Sequence, residues 1–573
     1  MQKVLTSEEM REVDRLTTEK YGISSLLLME NAAHAAARVI AEKLGGSVAG
    51  KSFLILCGKG NNGGDGAALA RILALQNAVC FIYLLGQVEE TKGDAQINFR
   101  ILNNVENEKK KSGFASLGFE SRLELIEKPL NASNISPEFL RLDNFDVIVD
   151  AIFGTGLTRK IEGNLEKIVE YLVYWNEFEI ERAKNLTLKK EYLFVSLDIP
   201  SGLNANTSSI IGTSFHADLT ITFTAPKPAN ILTPASRCSG ELITVDIGSP
   251  QELIGNSPSQ LFLAERQDAQ NWLAQTKFTV DSYKKTRGHA LIIAGSKNMT
   301  GAAVLCADAA VQSGVGLVTI ATPETAQNAI AARVLPEIMV SAAHETPDGA
   351  IAETAVEQVS KLSEKMNAVA IGCGLSSNEE TTRNFVRKFV EQRRTPMVID
   401  ADALNALAPF DLSGSDKLPL ILTPHIGEMR RLLGVEENAD LSDRVMIARE
   451  FAQKHGVILV LKGERSLIAE PGGRVVVNPT GNAGLGKAGN GDTLTGIIAG
   501  FIAQTFAAPK DLSFRNVTDS SARQIQFAFE AVVAALYISG MAGDIAARKI
   551  GMRSMTASDV RESLVEAFRE LEN

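Results

Sequence analysis

The sequence predicts two domains of the α/β class, each built on a largely parallel sheet. Its 573 residues are too many for one core, since single cores stop growing beyond roughly 250–300 residues. Short runs rich in Val, Ile, Leu and Phe alternate with amphipathic segments, which is typical of doubly wound sheets. The alternation pauses over residues 249–279, which are polar and have few strand signals. We therefore expect domains at residues 1–250 and 270–573.

Individual elements follow from the same alternation. In the first domain we expect strands at Ser52–Cys57, Val79–Leu85, Asp146–Ile152, Tyr192–Leu197, Leu219–Thr224 and Leu242–Ile247, with helices at Asp65–Leu75 and Leu165–Val173. In the second we expect strands at Ala290–Ile293, Leu317–Ala321, Ala368–Gly372, Met397–Asp400, Leu420–Thr423, Ile458–Lys462 and Arg474–Asn478, with helices at Ala302–Gln312, Ser442–Lys454 and Asp492–Ile502. The polar inserts Glu106–Pro137 and Glu177–Glu191 are expected to be solvated loops or helix faces.

Composition narrows the class of protein. The net charge of −10 disfavours nucleic acid as a partner. The five cysteines are odd in number and form no CxxC pair, which argues for a reducing compartment and against a disulfide framework or a zinc site. Residues 1–15 do not resemble a signal peptide, and the longest charge-free apolar stretch, Ala531–Gly543, is too short to cross a bilayer. We expect a cytoplasmic protein without a membrane partner.

A glycine-rich segment follows the first predicted strand. Residues 58–66 read GKGNNGGDG and lead into a helix. The segment contains GxGxxG, but the next strand ends without the acidic residue of a dinucleotide fingerprint. Glycines let the backbone approach a ligand, and free N–H groups at the helix start attract an anion. An Asn-rich turn that only caps the helix is the alternative.

Two further strand ends carry polar residues. Asp150 lies at one and is followed by FGTGLTRK at residues 153–160, while Asp198 and Ser201 follow another within DIPSG. In a doubly wound sheet the strands' carboxyl ends meet at one edge, so these loops can converge on one crevice. Carboxylate, carboxamide and hydroxyl oxygens suit a hard cation. Asp150 can alternatively serve only to satisfy its loop.

The second domain contains GxxxxGK at residues 481–487, but Ala488 stands where a P-loop needs Ser or Thr, so that reading is disfavoured. Gly489-Asn490-Gly491-Asp492 is the better candidate: its N–H groups can hold phosphate charge, and Asp492 can accept a proton from an alcohol. The alternative for Asp492 is a helix N-cap. For His425 the alternative is a core or turn histidine, and for Lys462 it is a solvated lysine.

These motifs resemble a known family. NNGGDG, DAIFGTGLTR and DIPSG, in that order over Met1–Gly248, resemble the NAD(P)H-hydrate epimerase domain, which implies a Rossmann-like doubly wound fold. The resemblance implies potassium binding by Asn62, Asp150 and Ser201, and we assign the proton transfer to Asp198. It further implies binding of the hydrated nucleotide by Asp198 and by two segments: Asn61, Asn62, Gly63, Gly64 and Asp65, and Gly154, Thr155, Gly156, Leu157, Thr158, Arg159 and Lys160.

The second half, Arg287–Val560, resembles the ADP/ATP-dependent NAD(P)H-hydrate dehydratase, a ribokinase-like α/β protein. The resemblance is carried by GCGL, DADALN, TPHIGE, Lys462-Gly463 and the turn at Asp492. It implies substrate contacts from Ala302, Gly374, His425 and Asp492. It implies adenine-nucleotide contacts, with Mg²⁺, from Lys462, Gly463, Glu464, Arg465, Ser466 and Gly491. Cys373 and Asn490 depart from the family's usual proline and threonine, which puts the fine geometry of these turns in doubt.

Together the resemblances imply a bifunctional repair enzyme. It would interconvert R- and S-NAD(P)HX and dehydrate the S form with ADP, giving AMP and phosphate, and we expect a homo-oligomer. One alternative is a kinase of a vitamin-precursor alcohol with a non-catalytic N-terminal module. Another is a scaffold role for the first domain, although a scaffold would need none of Asn62, Asp150 and Asp198.

Overall fold

The computed structural model describes residues 1–112, 122–128, 137–186, 192–507 and 520–572. The chain divides into two compact units, Lys3–Ser259 and Gln260–Asn573, the latter together with Met1–Gln2. The strands are, in chain order, β1 Gln2–Lys3, β2 Ser52–Cys57, β3 Val79–Leu84, β4 Leu123–Glu127, β5 Val147–Ala151, β6 Leu193–Leu197, β7 Leu219–Phe223, β8 Glu241–Val245, β9 Leu261–Leu263, β10 His289–Ile293, β11 Leu317–Pro323, β12 Met339–Ala343, β13 Ala368–Ile371, β14 Met397–Ile399, β15 Leu420–Leu422, β16 Ile458–Leu461, β17 Leu467–Ala469 and β18 Val475–Val477.

Helices occupy most of the remaining described residues. They are, in chain order, α1 Ser7–Tyr21, α2 Ser25–Lys43, α3 Asn61–Leu75, α4 Gly93–Ser112, α5 Asn164–Leu186, α6 Pro228–Ile231, α7 Gln251–Gly255, α8 Arg266–Gln275, α9 Thr300–Gln312, α10 Glu324–Ala331, α11 Val356–Ser363, α12 Glu380–Glu391, α13 Ala401–Ala406, α14 Ile426–Leu433, α15 Arg444–His455, α16 Asn490–Ala507, α17 Ser520–Ile550 and α18 Ala557–Glu572.

The first unit is built on a seven-stranded sheet, all parallel, in the order β4-β3-β2-β5-β6-β7-β8. Side chains of β2 alternate between two cores, as the two-residue period of a strand requires. Ile55 packs in one core with α2 and α3, while Leu54 packs in the other with α5. The strand order reverses between β2 and β5, and ligands of doubly wound folds bind beside such a reversal.

Two expectations for this unit need correction, whereas the described part of the second insert agrees with the expected helix face. Helix α3 begins at Asn61 with Gly60 as its N-cap, so Asn61–Asp65 form the first turn of a helix rather than a loop. The first insert contains β4, which pairs with β3, and its residues 113–121 and 129–136 lie outside the described residues. The second insert continues α5 as far as Leu186, and its residues 187–191 also lie outside the described part.

The second unit is built on an eleven-stranded sheet in the order β1-β9-β18-β17-β16-β15-β14-β13-β10-β11-β12. Strands β10 to β16 are parallel to one another, and β17 is antiparallel to both its neighbours. Strand β9 lies in the segment that we expected to separate the domains, and its three residues are too few for the apolar pattern to predict a strand. The order reverses between β10 and β13, which is the expected place for a ligand.

Helices α9 and α16 lie in the core of this unit, where Cys306 and Phe501 are fully buried. Helix α17 contains a stretch, Gln524–Ile550, that is long and apolar enough to span a membrane by length and composition. This stretch extends beyond both ends of the charge-free segment Ala531–Gly543, which we expected to be too short to cross a bilayer. Of its most apolar window, 67% is buried inside the structure, which is also the property of a core helix.

Candidate active sites

Asp150 is the last residue but one of β5, lies beside the switch point of the first sheet and is fully buried. Its Oδ1 accepts from the Ser201 hydroxyl at 2.5 Å and from the Ile152 N–H at 3.2 Å. Its Oδ2 accepts from the Ser201 N–H at 2.7 Å and from the Ser196 hydroxyl at 3.1 Å. Burial raises the pKa of Asp150 to about 6, and these hydrogen bonds oppose the shift. The carboxylate of Asp150 therefore does accept the hydrogen bonds that the surrounding loops donate, as the alternative interpretation of this residue predicts.

Asn62 faces the same loop from the first turn of α3. Its Nδ2 donates to the Phe153 carbonyl at 2.9 Å, and the Phe153 N–H donates to Ser201 Oγ at 2.9 Å. Asn62 Oδ1 is buried and accepts no hydrogen bond in the described part of the chain. A buried carbonyl-type oxygen without a donor is costly unless a cation or a ligand donor meets it. Asn62, Asp150 and Ser201, predicted as a set, lie together.

Asp198 follows β6 in the left-handed backbone region, with φ +65°. Its Oδ1 accepts from the ammonium of Lys227 and from Thr222 Oγ1 at 3.1 Å. Lys227 is only 1% exposed and also donates to the Phe223 carbonyl at 3.0 Å. A Cβ atom placed on Gly154 would lie 3.5 Å from Asp198 Oδ2. Because Lys227 and Thr222 occupy Oδ1, Oδ2 is the oxygen turned toward the Gly154 loop.

Two further carboxyl groups share this charge environment, Asp14 of α1 and Asp65 of α3. Burial raises the pKa of Asp14 to about 6; Lys227 opposes the shift, and Asp198 adds to it. Burial likewise raises the pKa of Asp65 well above its usual value, with Asp198 and Asp14 adding to the shift. The sequence motifs gave no reason to single out Asp14 or Lys227, since neither lies in a glycine turn.

Only part of the predicted segment Gly154–Lys160 lies close to the side chains of Asn62 and Asp198. Gly154 lies against Asn62 and Asp198. The side chain of Leu157 is instead buried in the core beside α5, so only its backbone can face a ligand. Arg159 and Lys160 are exposed, and Lys160 Nζ lies 3.3 Å from Glu162 Oε1.

The centre of the second unit is an ion pair between Lys462 and Asp400. Lys462 Nζ donates to Asp400 Oδ1 at 2.7 Å, and Thr495 Oγ1 donates to Asp400 Oδ2 at 2.7 Å. Asp400 is 1% exposed. Burial alone would lower the pKa of Lys462, but the carboxylates of Asp400 and Glu428 outweigh it and raise that pKa. The reading of Lys462 as a solvated lysine is therefore wrong.

Gly491 and Asp492 lie directly beside this pair. A Cβ atom on Gly491 would lie 3.6 Å from Lys462 Nζ and 3.8 Å from Asp400 Oδ2. Helix α16 begins at Asn490, two residues earlier than predicted, so Asp492 lies in its first turn and is not its N-cap. Burial raises the pKa of Asp492, and a hydrogen bond from the Cys373 thiol opposes the shift. Asp400 was recognised only as part of a motif, and Cys373 only as a departure from the family.

Ala302 and Gly374 meet at the reversal of strand order. Gly374 has φ +65°, and a Cβ atom on it would lie 2.9 Å from Ala302 Cβ and 2.9 Å from the Met299 carbonyl. Cys373, the residue before it, accepts from the Gly295 N–H through its carbonyl at 2.9 Å. The loops after β10 and β13 therefore close on each other only because residue 374 has no side chain.

His425 begins α14 as its N-cap. Its Nδ1 accepts from the N–H groups of Gly427 at 3.0 Å and Glu428 at 3.3 Å, and Glu428 Oε2 accepts from the His425 N–H at 2.9 Å. Because Nδ1 is an acceptor, the proton of the neutral ring lies on Nε2. The ring is 54% exposed, and the Lys462 N–H donates to the Pro424 carbonyl at 2.8 Å. His425 thus lies beside Lys462 with Nε2 on the exposed ring, 3.6 Å from Glu428 Oε1, where it can donate to a ligand.

The predicted nucleotide loop follows Lys462. The Ser466 hydroxyl donates to the Gly463 carbonyl at 3.0 Å, and Arg465 Nη1 donates to the Pro479 carbonyl at 3.2 Å. Glu464 is exposed. Arg465 has φ +54°, a strained conformation for a residue with a side chain.

The lysine of the GxxxxGK segment lies elsewhere. Lys487 Nζ donates to the carbonyls of Arg553 at 2.6 Å and Met555 at 2.9 Å. These carbonyls belong to the turn between α17 and α18. The lysine therefore has a structural partner, in agreement with the rejection of a P-loop.

A Rossmann-like unit and a ribokinase-like unit, each with charged side chains and glycine turns gathered at the switch point of its sheet, define a two-domain α/β enzyme. A family model described as YjeF-related protein N-terminus matches residues 25–229, and one described as NAD(P)H-hydrate dehydratase matches residues 290–566. The chain belongs to the family of bifunctional NAD(P)H-hydrate repair enzymes. A vitamin-precursor kinase is accordingly not favoured.

The relatives span both units. The bifunctional NAD(P)H-hydrate repair enzyme Nnr of Moorella thermoacetica is 36% identical, over 99% of this chain and 97% of its own length. That of Thermofilum pendens is 32% identical, over 99% and 97%. Among solved structures, the ADP/ATP-dependent NAD(P)H-hydrate dehydratase of Bacillus subtilis, co-crystallised with ATP/Mg²⁺, is 30% identical with a TM-score of 0.45, and the match covers 54% of this chain and 99% of that one.

Proposed function

We propose that this protein restores hydrated NADH and NADPH in two steps, one in each unit. The first unit interconverts the R and S hydrates, and the second dehydrates the S form with ADP, giving AMP and phosphate. Family membership supports the overall activity. The observation that carries the residue assignments is the position of Asp492, in the first turn of α16, beside the Lys462–Asp400 pair.

The epimerase step needs proton transfer at a carbon that bears a hydroxyl next to a ring nitrogen. Such a carbon loses and regains its C–O or C–N bond once a proton moves. We assign that transfer to Oδ2 of Asp198, since Lys227 and Thr222 hold Oδ1. Gly154 admits the ring to this oxygen, because any side chain there would stand within 3.5 Å of it. A positioned carboxylate contributes typically ~10²–10⁴-fold to such a step.

A potassium ion fits the residues around Asn62. The donor set would be Asn62 Oδ1, which accepts no hydrogen bond from the described residues, together with oxygens of Asp150 and Ser201. Hard cations prefer oxygens of these three kinds. The ion would supply a fixed positive charge at this site. Asn62→Leu should abolish the dependence of epimerisation on K⁺, measured against Na⁺ at equal ionic strength.

The dehydratase step begins at the hydroxyl of the S hydrate. An alcohol lies roughly 12 pKa units above a carboxylate, so full proton removal by Asp492 would cost about 16 kcal/mol. Asp492 must therefore accept the proton while the oxygen is already bonding to phosphorus. The N–H groups around Gly491 and the ammonium of Lys462 stabilise the charge on the transferred group. Phosphate then leaves with the electrons of the C–O bond, pushed out by the ring nitrogen, and loss of a proton from the neighbouring ring carbon restores the double bond of the reduced nicotinamide.

We assign the adenine nucleotide to Lys462–Ser466 and Gly491, and we favour ADP over ATP because the fused members of this family generally use it. Within the described residues no group of three or more His, Cys, Asp or Glu side chains is placed to hold a metal ion. Mg²⁺ would therefore be held mainly by the nucleotide's own phosphates, whose charge it neutralises.

One assay tests both activities. Purified protein is mixed with hydrated NADH of both epimers, K⁺, Mg²⁺ and either ADP or ATP, and reduced nicotinamide is followed by absorbance. Full recovery from the mixed epimers requires both sites. Asp198→Asn should leave the R form behind, whereas Asp492→Asn should slow the recovery from both forms. Equal or faster turnover with ATP would overturn the preference for ADP.

We also propose a cytoplasmic location and a homo-oligomeric state. The five cysteines are all buried and unbridged, which suits a reducing compartment. Cell fractionation tests the first proposal. Light scattering of the purified protein tests the second, which a monomeric mass would overturn.

A further inference from the structure

Arg444, the first residue of α15, lies against the loop that follows β16. Its Nη1 donates to the Glu464 carbonyl at 2.8 Å, and its Nη2 lies 3.4 Å from the Leu461 carbonyl. These carbonyls stand on either side of Lys462 and Gly463, so one planar guanidinium spans the start of the loop. Arginine suits this position because its donors form a rigid fork.

Gly463 makes this approach possible. It has φ +154°, and a Cβ atom placed on it would lie 3.0 Å from Arg444 Nη2. A side chain would therefore crowd the guanidinium. Arg465, two residues after Gly463, has φ +54°. A non-glycine residue keeps such a backbone only where its surroundings hold it, and the Arg444 bonds are part of those surroundings.

The location of Arg444 is otherwise unfavourable. A basic residue in the first turn of a helix meets the positive end of the helix dipole. Asp443 already caps this helix, since its side chain accepts from the Met446 N–H at 2.9 Å. Burial lowers the pKa of Arg444, and the nearby Glu464 carboxylate opposes the shift. The position at the start of the helix therefore does not explain an arginine here, whereas the two carbonyl contacts do.

We propose that Arg444 is a positioning residue for the nucleotide. It fixes the backbone of Gly463, Glu464 and Arg465 in the conformation that receives the phosphates of a nucleoside diphosphate or triphosphate. This inference rests on the proposed function, in which the loop binds the adenine nucleotide. Arg444 acts through the loop, so its loss changes nucleotide affinity more than the chemical step.

The test compares Arg444→Gln and Arg444→Lys with a matched control on the same helix. Arg449 also donates to a backbone carbonyl, that of Gly473 at 2.9 Å, but in the turn between β17 and β18. Full-length variants are assayed for KM and kcat with S hydrate and ADP. The ADP-induced rise in Tm, which reports binding without turnover, is measured in parallel.

We expect Arg444→Gln to raise the KM for ADP roughly tenfold and to reduce the ADP-induced Tm rise, with kcat at saturating ADP within about twofold. Arg444→Lys should recover part of the affinity, because an ammonium still donates to the Glu464 carbonyl, and this variant serves if Arg444→Gln folds poorly. Arg449→Gln should leave the KM for ADP unchanged. Wild-type affinity in both Arg444 variants, or an equal loss in Arg449→Gln, would overturn the inference. Failure of the wild-type protein to bind ADP would instead overturn the proposed function.

Discussion

Lys227 and Asp198 form an ion pair in which the ammonium is fully buried and the carboxylate keeps one oxygen for other partners. Lys227 thereby fixes which oxygen of Asp198 faces the Gly154 loop. It is also the cation that opposes the negative charge of Asp14 and Asp65.

Replacing Lys227 by Met should slow epimerisation about 10²-fold, because the carboxylate of Asp198 loses its orientation and its counter-charge. Dehydration of pure S hydrate should be unchanged. Lys51→Met is the control, since Lys51 pairs with Asp146 at 2.9 Å on the surface of the same unit. The rate is measured by chromatographic separation of the two epimers, and equal rates in the Lys227 variant and wild type would contradict the pairing role.

Replacing Asp14 by Asn should stabilise the protein at neutral and alkaline pH. The pKa of Asp14 is raised to about 6 in the folded protein, against ~3.9 in an unfolded chain. Between these values the folded state binds a proton that the unfolded state has released, so stability falls as the pH rises from about 4 to about 6. Asparagine does not titrate, so the variant does not lose stability in this way. Its free energy of unfolding should exceed that of wild type by on the order of 1–3 kcal/mol at pH 8, with no difference below about pH 4. Urea unfolding of the two proteins at both pH values measures the difference; a gain that persists at pH 3.5 would argue against titration as its cause.

The dehydratase should lose activity in acid above the range of an ordinary aspartate. Burial raises the pKa of Asp492, and the Cys373 thiol opposes the shift; protonation then removes the base as the pH falls. Cys373→Ala deletes the opposing hydrogen bond, so the acid limb of kcat should move to higher pH. Asp492→Asn should lower kcat ~10²–10⁴-fold. A Cys373→Ala profile that coincides with wild type would exclude this hydrogen bond as a determinant.

Gly374→Ala should damage substrate binding in the second unit. The added methyl group would meet Ala302 Cβ and the Met299 carbonyl at 2.9 Å, and φ is +65°. We expect a KM for S hydrate at least about tenfold higher. Gly551→Ala is the matched control, because Gly551 has φ +86° with nothing within 4 Å. It should lose about 1 kcal/mol of stability from backbone strain while keeping its KM, and a similar KM in both variants would remove crowding as the explanation.

Two substitutions at His425 should distinguish its role as a helix N-cap from its role in ligand binding. Asparagine is a good N-cap residue, whereas alanine is a poor one. His425→Asn should therefore keep Tm near wild type but raise the KM for the hydrate, because the Nε2 donor is lost. His425→Ala should lower the free energy of unfolding by about 1 kcal/mol as well. If His425→Asn binds hydrate as wild type does, the histidine is only a cap.

The sequence predicted the central buried strands but not β4, β9, β12 or β17, and it predicted few of the side-chain partners. Strand β2 coincides with its predicted range, because an apolar run between polar residues marks a buried parallel strand. The turns at Asn61 and Gly491 were predicted, although both proved to lie inside the first turn of a helix. Glycine usually weakens helices, so pattern alone placed the helix starts too late.

Side-chain partners that lie far apart along the chain could not be predicted from the sequence. Lys227 meets Asp198 across 29 residues, and Thr495 meets Asp400 across 95. Such pairs depend on strand order, which alternation does not specify. Arg444 was missed for a related reason: its partners are backbone carbonyls, which have no sequence signature.

The carbonyl contacts of Lys487 have a consequence for chemical labelling. An acylating reagent would turn its three-donor ammonium into an amide with a single N–H, so at most one of the two contacts, to Arg553 and Met555, would survive. Acetylation of this lysine is therefore expected to loosen the turn that joins two long helices. The rate at which Lys487 is acetylated, followed by mass spectrometry, would report how often the turn between α17 and α18 opens.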